Sequence, residues 1–235
     1  MPMSLAFVTG GSRGLGFETA KALHAAGHQV VLFARNTEKL HAAGAELNSP
    51  IEFVEMLDIS QTRKVFEAAV EKYGVPDILI LAHGVMSDRL AKTLKTDDDE
   101  WHRVMTINLD SVFTIVNEVG AKMAEARKGR VIIYSACLGR MSGPGNAGGL
   151  APYRISKAGV NALVRNLAHE TGHGSRGFWV DAICPNHSRT DMGGENAPRS
   201  AAEGAETAVW LATRELIPGE TQTGVMWEDH EIVPW

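Results

Sequence analysis

Short apolar runs and amphipathic stretches alternate along the chain. Residues 5–9 (LAFVT), 29–34 (QVVLFA), 51–57, 77–82 (DILILA), 130–135 (RVIIYS), 178–184 and 224–227 are predicted as strands. Several of these runs are apolar almost throughout, as expected of strands covered on both faces. Between them, residues 17–26 read as a helix with Leu15, Thr19, Ala22, Leu23 and Ala26 inward, 37–47 with Leu40, Ala43 and Leu47, and 61–73 with Val65, Phe66, Ala69 and Val70. A longer helix opens at Thr96 as N-cap, with Asp97, Asp98, Asp99 and Glu100 at the positive end of its dipole, and runs past Asn108 to about residue 126. Residues 153–171 form a further helix with Ala158, Leu163 and Leu167 as core candidates, and 201–213 the last. This order predicts an α/β fold, a parallel sheet with helices on both faces. With no internal repeat or linker, residues 1–235 are expected to form one domain.

Composition narrows the ligand. A net charge of −5, a pI near 6.0 and the lack of a lysine-rich block point away from nucleic acid and anionic membranes and toward a small molecule. The first residues lead directly into a strand, and no window approaches the ~18 apolar residues of a membrane span, so a cytoplasmic location is expected. Cys137 and Cys184 are too few for a disulfide framework and lack metal-ligand spacing, which reads as two free core thiols. Four consecutive acids point in different directions around a helix, so no metal site is expected at 97–100.

The first strand runs into Gly10-Gly11-Ser12-Arg13-Gly14-Leu15-Gly16. Glycines at 10, 14 and 16 allow a sharp turn, close approach of the backbone to a pyrophosphate and tight packing of the helix on the strand, while free N–H groups at the helix start face the anion. Gly10, Ser12, Arg13, Gly14, Leu15 and Gly16 are the candidate phosphate-binding positions. Downstream, Tyr153 and Lys157 stand four residues apart on one helix face. A phenol titrates near 10, and a neighbouring ammonium favours phenolate, which makes Tyr153 a candidate general acid and base.

The glycine turn, Asn108 and Tyr153-Arg154-Ile155-Ser156-Lys157, in this order and spacing, resemble the short-chain dehydrogenase/reductase family along essentially the whole chain. The resemblance implies a Rossmann-type, doubly wound parallel sheet of about seven strands, a bound NAD(P)(H), and a homodimer or homotetramer assembled through the helices of Asn108 and Tyr153. It also implies that Lys157 holds the nicotinamide ribose and that Asn108 holds a water linking Lys157 to solvent. Asp58 and Ile59 match its adenine-contacting position, although Asp58 equally suits the N-cap of the next helix. NAD-binding folds place an acid at the end of the second strand. Here Ala34 and Arg35 occupy that end, and Arg13 adds a second cation suited to a 2′-phosphate, so the expected cofactor is NADP(H).

Three departures from the family pattern bear on the reaction. Counting back from Gly139, the carbonyl-orienting serine falls on Ala136. Ser135 is adjacent but faces the other side of a strand unless the strand end shifts, and Ser142 is a weaker substitute. Leu81-Ala82-His83-Gly84 replaces Asn-Asn-Ala-Gly, keeping only Gly84. Pro185-Asn186-His187-Ser188 replaces Pro-Gly and an apolar residue. Both segments lie where this fold binds its ligand, so Ala82, His83, Gly84, Pro185, Asn186 and Ser188 are further cofactor candidates, and Ala136, His83 and His187 are substrate-contact candidates. The expected activity is NADP(H)-dependent interconversion of a carbonyl and an alcohol on a small, largely apolar metabolite, with Tyr153, Lys157, Asn108 and Ser135 as the catalytic set. Isomerisation, elimination or cyclisation without net redox change, or binding alone, are the alternatives. Loops at 140–150 and 185–200 are expected to shape the pocket, with Arg189 and Arg199 as solvated surface cations.

Overall fold

The computed structural model describes residues 4–88, 91–143 and 147–235. Strands β1 (Leu5–Thr9), β2 (Gln29–Ala34), β3 (Ile51–Phe53), β4 (Ile78–Leu81), β5 (Arg130–Tyr134), β6 (Trp179–Ile183), β7 (Met226–Glu228) and β8 (Glu231–Val233) form one sheet in the order β3-β2-β1-β4-β5-β6-β7-β8. The first seven run parallel, as expected. The last is antiparallel to β7 and was not anticipated, because residues 231–233 follow a two-residue turn at Asp229 and His230, both at positive φ, and are partly exposed.

Helices α1 (Gly14–Ala25), α2 (Thr37–Leu47), α3 (Ile59–Tyr73), α4 (Asp98–Met105), α5 (Ser111–Ile115), α6 (Ala121–Glu125), α7 (Ala151–Thr171) and α8 (Ala201–Thr213) flank the sheet. Segments α4, α5 and α6 are one long helix interrupted by π-type turns at Thr106–Asp110 and Val116–Gly120. Such wide turns are common at functional sites, and the first contains Asn108. Its N-cap is Asp97, whose side chain accepts from the Glu100 N–H; Thr96 instead donates to the Lys92 carbonyl.

Successive strand residues feed two core layers. Phe7, Val31, Phe33, Leu79, Leu81, Val131 and Ile133 face Phe66, Ile115, Val119, Val160 and Val164, while Ala6, Val8, Val30, Leu32, Ile78, Ile80 and Ile132 face Ala20, Leu23, Leu40 and Leu211. Two covered faces explain why the strands read as continuous apolar runs. The inward face of α1 keeps the expected Thr19 and Leu23, whereas that of α7 is rotated from the expected one. Ala20 is buried and Ala26 exposed, and Val160, Val164 and Ala168 are buried where Ala158, Leu163 and Leu167 are only half so. Both helices begin earlier than expected, at Gly14 and Ala151. Among the described residues no helix is long and apolar enough to cross a membrane.

Candidate active site

The strand order reverses between β1 and β4, and a crevice opens there at the carboxyl ends of the strands. The glycine turn forms its floor. Gly10 has φ +65°, and a Cβ on it would lie 2.9 Å from the Ala82 oxygen, while a Cβ on Gly16 would lie 2.5 Å from the Gly10 oxygen. Neither position admits a larger residue without movement. The start of α1 carries no side-chain cap, in contrast to α2, α3 and α8, capped by Asn36, Asp58 and Ser200, and it has no acid in its first turn. An uncapped helix start above a turn of close-packed glycines fits a dinucleotide pyrophosphate.

Gly10, Ser12, Arg13, Gly14, Leu15, Gly16, Arg35, Ala82, His83 and Gly84 all line the groove. Asp58 and Ile59 do not. The Asp58 carboxylate accepts from the Gln61 N–H and caps α3, and the chain leaves the groove earlier, so Val54, Glu55 and Met56 line it instead. Strand β3 ends at Phe53, four residues short of its expected end. Arg13 is ion-paired to Asp191, and the Lys39 Nζ lies 3.6 Å from the same carboxylate. Lys39, in the first turn of α2, was missed because its place on the helix face shows only once α2 is docked.

A cavity of about 390 Å³ continues from the groove; Leu15, Ala82, His83, Gly84, Thr190 and Met192 line both. Tyr153 and Lys157 form one wall. The Lys157 ammonium donates to the Tyr134 carbonyl at 2.7 Å and lies 5.9 Å from the Tyr153 ring. Burial pulls Lys157 down to about 8. Contrary to expectation, Tyr153 is pushed above the usual phenol range, by burial first and then by the neighbouring Cys184 and Cys137. Such a phenol is held protonated. Asn108 is fully buried and clamps the segment after β4: its Oδ1 accepts from Val85 N–H at 2.8 Å, and its Nδ2 donates to the Val85 carbonyl at 2.9 Å and to Ser156 Oγ at 3.1 Å.

The hydroxyl side of the cavity differs from the expected one. Ser135 Oγ donates to Asn161 Oδ1 at 2.5 Å, turned into α7, because β5 keeps its regular alternation to its end. Ser142 donates to the Trp235 carbonyl. Ala136, by contrast, packs with Tyr153 and Val104 in a small apolar cluster edged by Val85, Met86, Leu138 and Leu150. The structure therefore packs an alanine methyl against Tyr153, while Ser135 lines the same cavity with its hydroxyl bonded to Asn161.

His83 bridges three elements. Its Nδ1 meets Thr9 Oγ1 at 2.7 Å and its Nε2 meets Ser111 Oγ at 2.8 Å, while Ser111 donates onward to the Ile107 carbonyl. Ser111 Oγ, its own proton given to Ile107, can accept from Nε2–H, and burial pulls the His83 pKa down to about 3, which favours the neutral imidazole. His187 is exposed on the cavity rim, bonded through Nε2 to the Gly193 carbonyl at 2.8 Å. Asn186 sits at φ +56°, a left-handed conformation asparagine tolerates better than most residues, so it holds the turn expected of glycine. Ser188 donates to the Pro185 carbonyl. Arg189 donates to the carbonyls of Ala197 and Pro198, and Arg199 is paired with Asp229, so both staple the 185–200 loop rather than standing free in solvent. Cys137 and Cys184 are free thiols as expected: Cys184 belongs to the core and Cys137 packs half-buried against it, and both also line the cavity wall.

The sheet, its switch point and the glycine turn define a Rossmann-type dinucleotide-binding protein. The sequence profile of the short chain dehydrogenase family matches residues 4–201, and the chain belongs to that family of oxidoreductases. It is 33% identical over 187 residues to the 3-oxoacyl-[acyl-carrier-protein] reductase FabG of Rickettsia conorii, spanning 79% of this chain and 73% of that protein. Among solved structures it is similar to an actinorhodin polyketide ketoreductase with NADPH, with a TM-score of 0.78 and 26% identity over 89% of this chain and 90% of that one. It is likewise similar to a ribose-5-phosphate isomerase from Brucella melitensis 16M, with a TM-score of 0.83 and 25% identity over 95% and 89% of the two chains.

Proposed function

We propose that the protein is an NADP(H)-dependent reductase, or the reverse dehydrogenase, acting on a carbonyl/alcohol pair in a small, largely apolar metabolite. The observation that carries this reading is the continuity of the glycine-turn groove with the cavity walled by Tyr153 and Lys157. A bound nicotinamide supplies or accepts a hydride. Tyr153, held protonated by its buried setting, donates the proton to the carbonyl oxygen, and Lys157 supports its reprotonation. Asn108 fixes the segment from Gly84 to Val85 beside them. Arg13, Arg35 and Lys39 would hold a 2′-phosphate, in competition with the Asp191 carboxylate that Arg13 and Lys39 now meet. The apolar cluster beside Tyr153 favours an alkyl or acyl substituent on the carbonyl carbon.

The relatives act on 3-oxoacyl thioesters and polyketides by their names, so the first panel to test is NADPH with β-ketoacyl thioesters, cyclic ketones and aldehydes, followed by nicotinamide absorbance. Consumption of NADPH but not NADH, abolished by Tyr153→Phe, is expected. Tight NADPH binding with no consumption across the panel overturns the reading. Ala136 favours a second one, acid–base isomerisation, elimination or cyclisation with the cofactor retained, because an alanine packs against Tyr153 at the carbonyl-orienting position and the adjacent Ser135 hydroxyl is bonded to Asn161. Product analysis without cofactor turnover distinguishes it. Phe113 on α5 and Ile155 on α7 are 52% and 42% exposed, and we place the contact surfaces of a homodimer or homotetramer there, to be checked by light scattering.

A further inference from the structure

Two sulfur atoms in the cavity wall have no part in the proton transfer. Cys137 opens the turn Cys137–Gly139 after β5, and Cys184 follows β6, which is hydrogen-bonded to β5 along its length. The Cys137 N–H donates to Cys184 Sγ at 3.1 Å, which sets the two cysteines side by side in the wall. They are not equivalent. Cys184 is 2% exposed, whereas Cys137 is half-buried and open to the cavity. The Cys184 thiol, the Leu138 N–H and the Arg140 guanidinium favour the thiolate of Cys137 and hold it below the usual thiol range, while burial and Glu228, 3.9 Å from Arg140, oppose them. Cys184 is pushed the other way and stays a thiol, with Cys137 as the main cause. An accessible thiolate beside a shielded thiol is the arrangement of an attacking and a resolving cysteine.

We propose that Cys137 and Cys184 form an oxidisable dithiol, a modification site that small disulfides of the glutathione class convert to an intramolecular disulfide in the cavity wall. The Cys137 thiolate attacks one sulfur of RSSR, forming Cys137–S–SR and releasing RS⁻. Cys184 then gives up its proton, attacks the Cys137 sulfur and displaces the second RS⁻. The released thiolates take up the two protons that the cysteines lose, so the dithiol is oxidised by two electrons and RSSR is reduced to two RSH. The new bond ties the turn after β5 to the loop after β6 on the side of the cavity facing Tyr153. Because the chemistry needs only the two sulfurs, it is independent of which reaction Tyr153 performs.

The full chain is incubated with oxidised glutathione without denaturant, residual thiols are blocked with iodoacetamide after unfolding, and the intact mass is measured. Wild type is expected to lose two hydrogens and to take up no carbamidomethyl group. Cys184→Ser is expected to stop at a glutathione adduct on Cys137, and Cys137→Ser to remain unmodified. In the folded wild type, iodoacetamide is expected to label Cys137 at least about tenfold faster than Cys184, a readout that needs no variant. Recovery of two alkylatable thiols from wild type, a persistent mixed disulfide, or faster labelling of Cys184 overturns the proposal.

Discussion

At the nucleotide groove the groups offered to a ligand are largely main-chain N–H groups above the glycine turn, with cations at the far end. At the Tyr153 cavity they are side chains: a phenol, an ammonium, two thiols, an imidazole on the rim and an alanine methyl. The two regions share a wall, yet they depart from the family pattern to different degrees. The groove keeps its glycines because each is needed for backbone clearance, which any substitution disturbs. The cavity presents side chains at the ends of β5 and β6, where a change of residue leaves the strand intact and alters only the chemistry. The glycine turn is thus the part of the groove that keeps the family pattern, while Ala82 and His83 in the same groove depart from it as Ala136 does in the cavity.

Variants that break the cavity half should have the largest effect. Tyr153→Phe removes the buried proton donor and is expected to lower turnover by about 10²–10⁴-fold, while NADPH binding, followed by fluorescence titration, stays within about twofold. Adding a hydroxyl at residue 136 tests the same wall from the other side. If carbonyl reduction is the native task, Ala136→Ser raises kcat by up to about 10²–10³-fold, and no gain in kcat favours the non-redox reading. Breaking the groove half acts on binding instead. A Cβ at residue 16 would meet the Gly10 oxygen at 2.5 Å, so Gly16→Ala should cost about 1–3 kcal/mol in denaturant unfolding and weaken NADPH at least about tenfold.

Smaller effects sharpen the comparison where the regions meet. Lys39→Ala is expected to reduce the preference for NADPH over NADH about tenfold, and Asp191→Asn to raise NADPH affinity by removing the competing carboxylate, both read from Kd values at matched ionic strength. His83, which joins β1 to α5, should show itself through pH. Its folded pKa of about 3 lies below the ordinary 6.5, so the unfolded chain binds the extra proton between those values. Stability is therefore whole above about pH 6.5 and declines as the pH falls toward 3. Urea midpoints at pH 7 and pH 5 should differ in wild type and differ less in His83→Gln.

Much of this architecture was written in periodicity. Strand β2 and helices α2 and α8 have the expected bounds, because apolar runs, N-caps and glycines act locally. So does the glycine turn, whose need for positive φ and close approach belongs to the residue type itself. What the chain alone did not decide was where polar side chains end up once elements pack. Ser135 turns into α7, Asp58 caps a helix instead of lining the groove, His83 bridges Thr9 and Ser111, and Lys39 meets Asp191. Each of these depends on partners far away in sequence. Local sterics and hydrophobic pattern choose elements, whereas hydrogen bonds and burial across elements, which exist only after docking, choose what a given hydroxyl, thiol or imidazole can do.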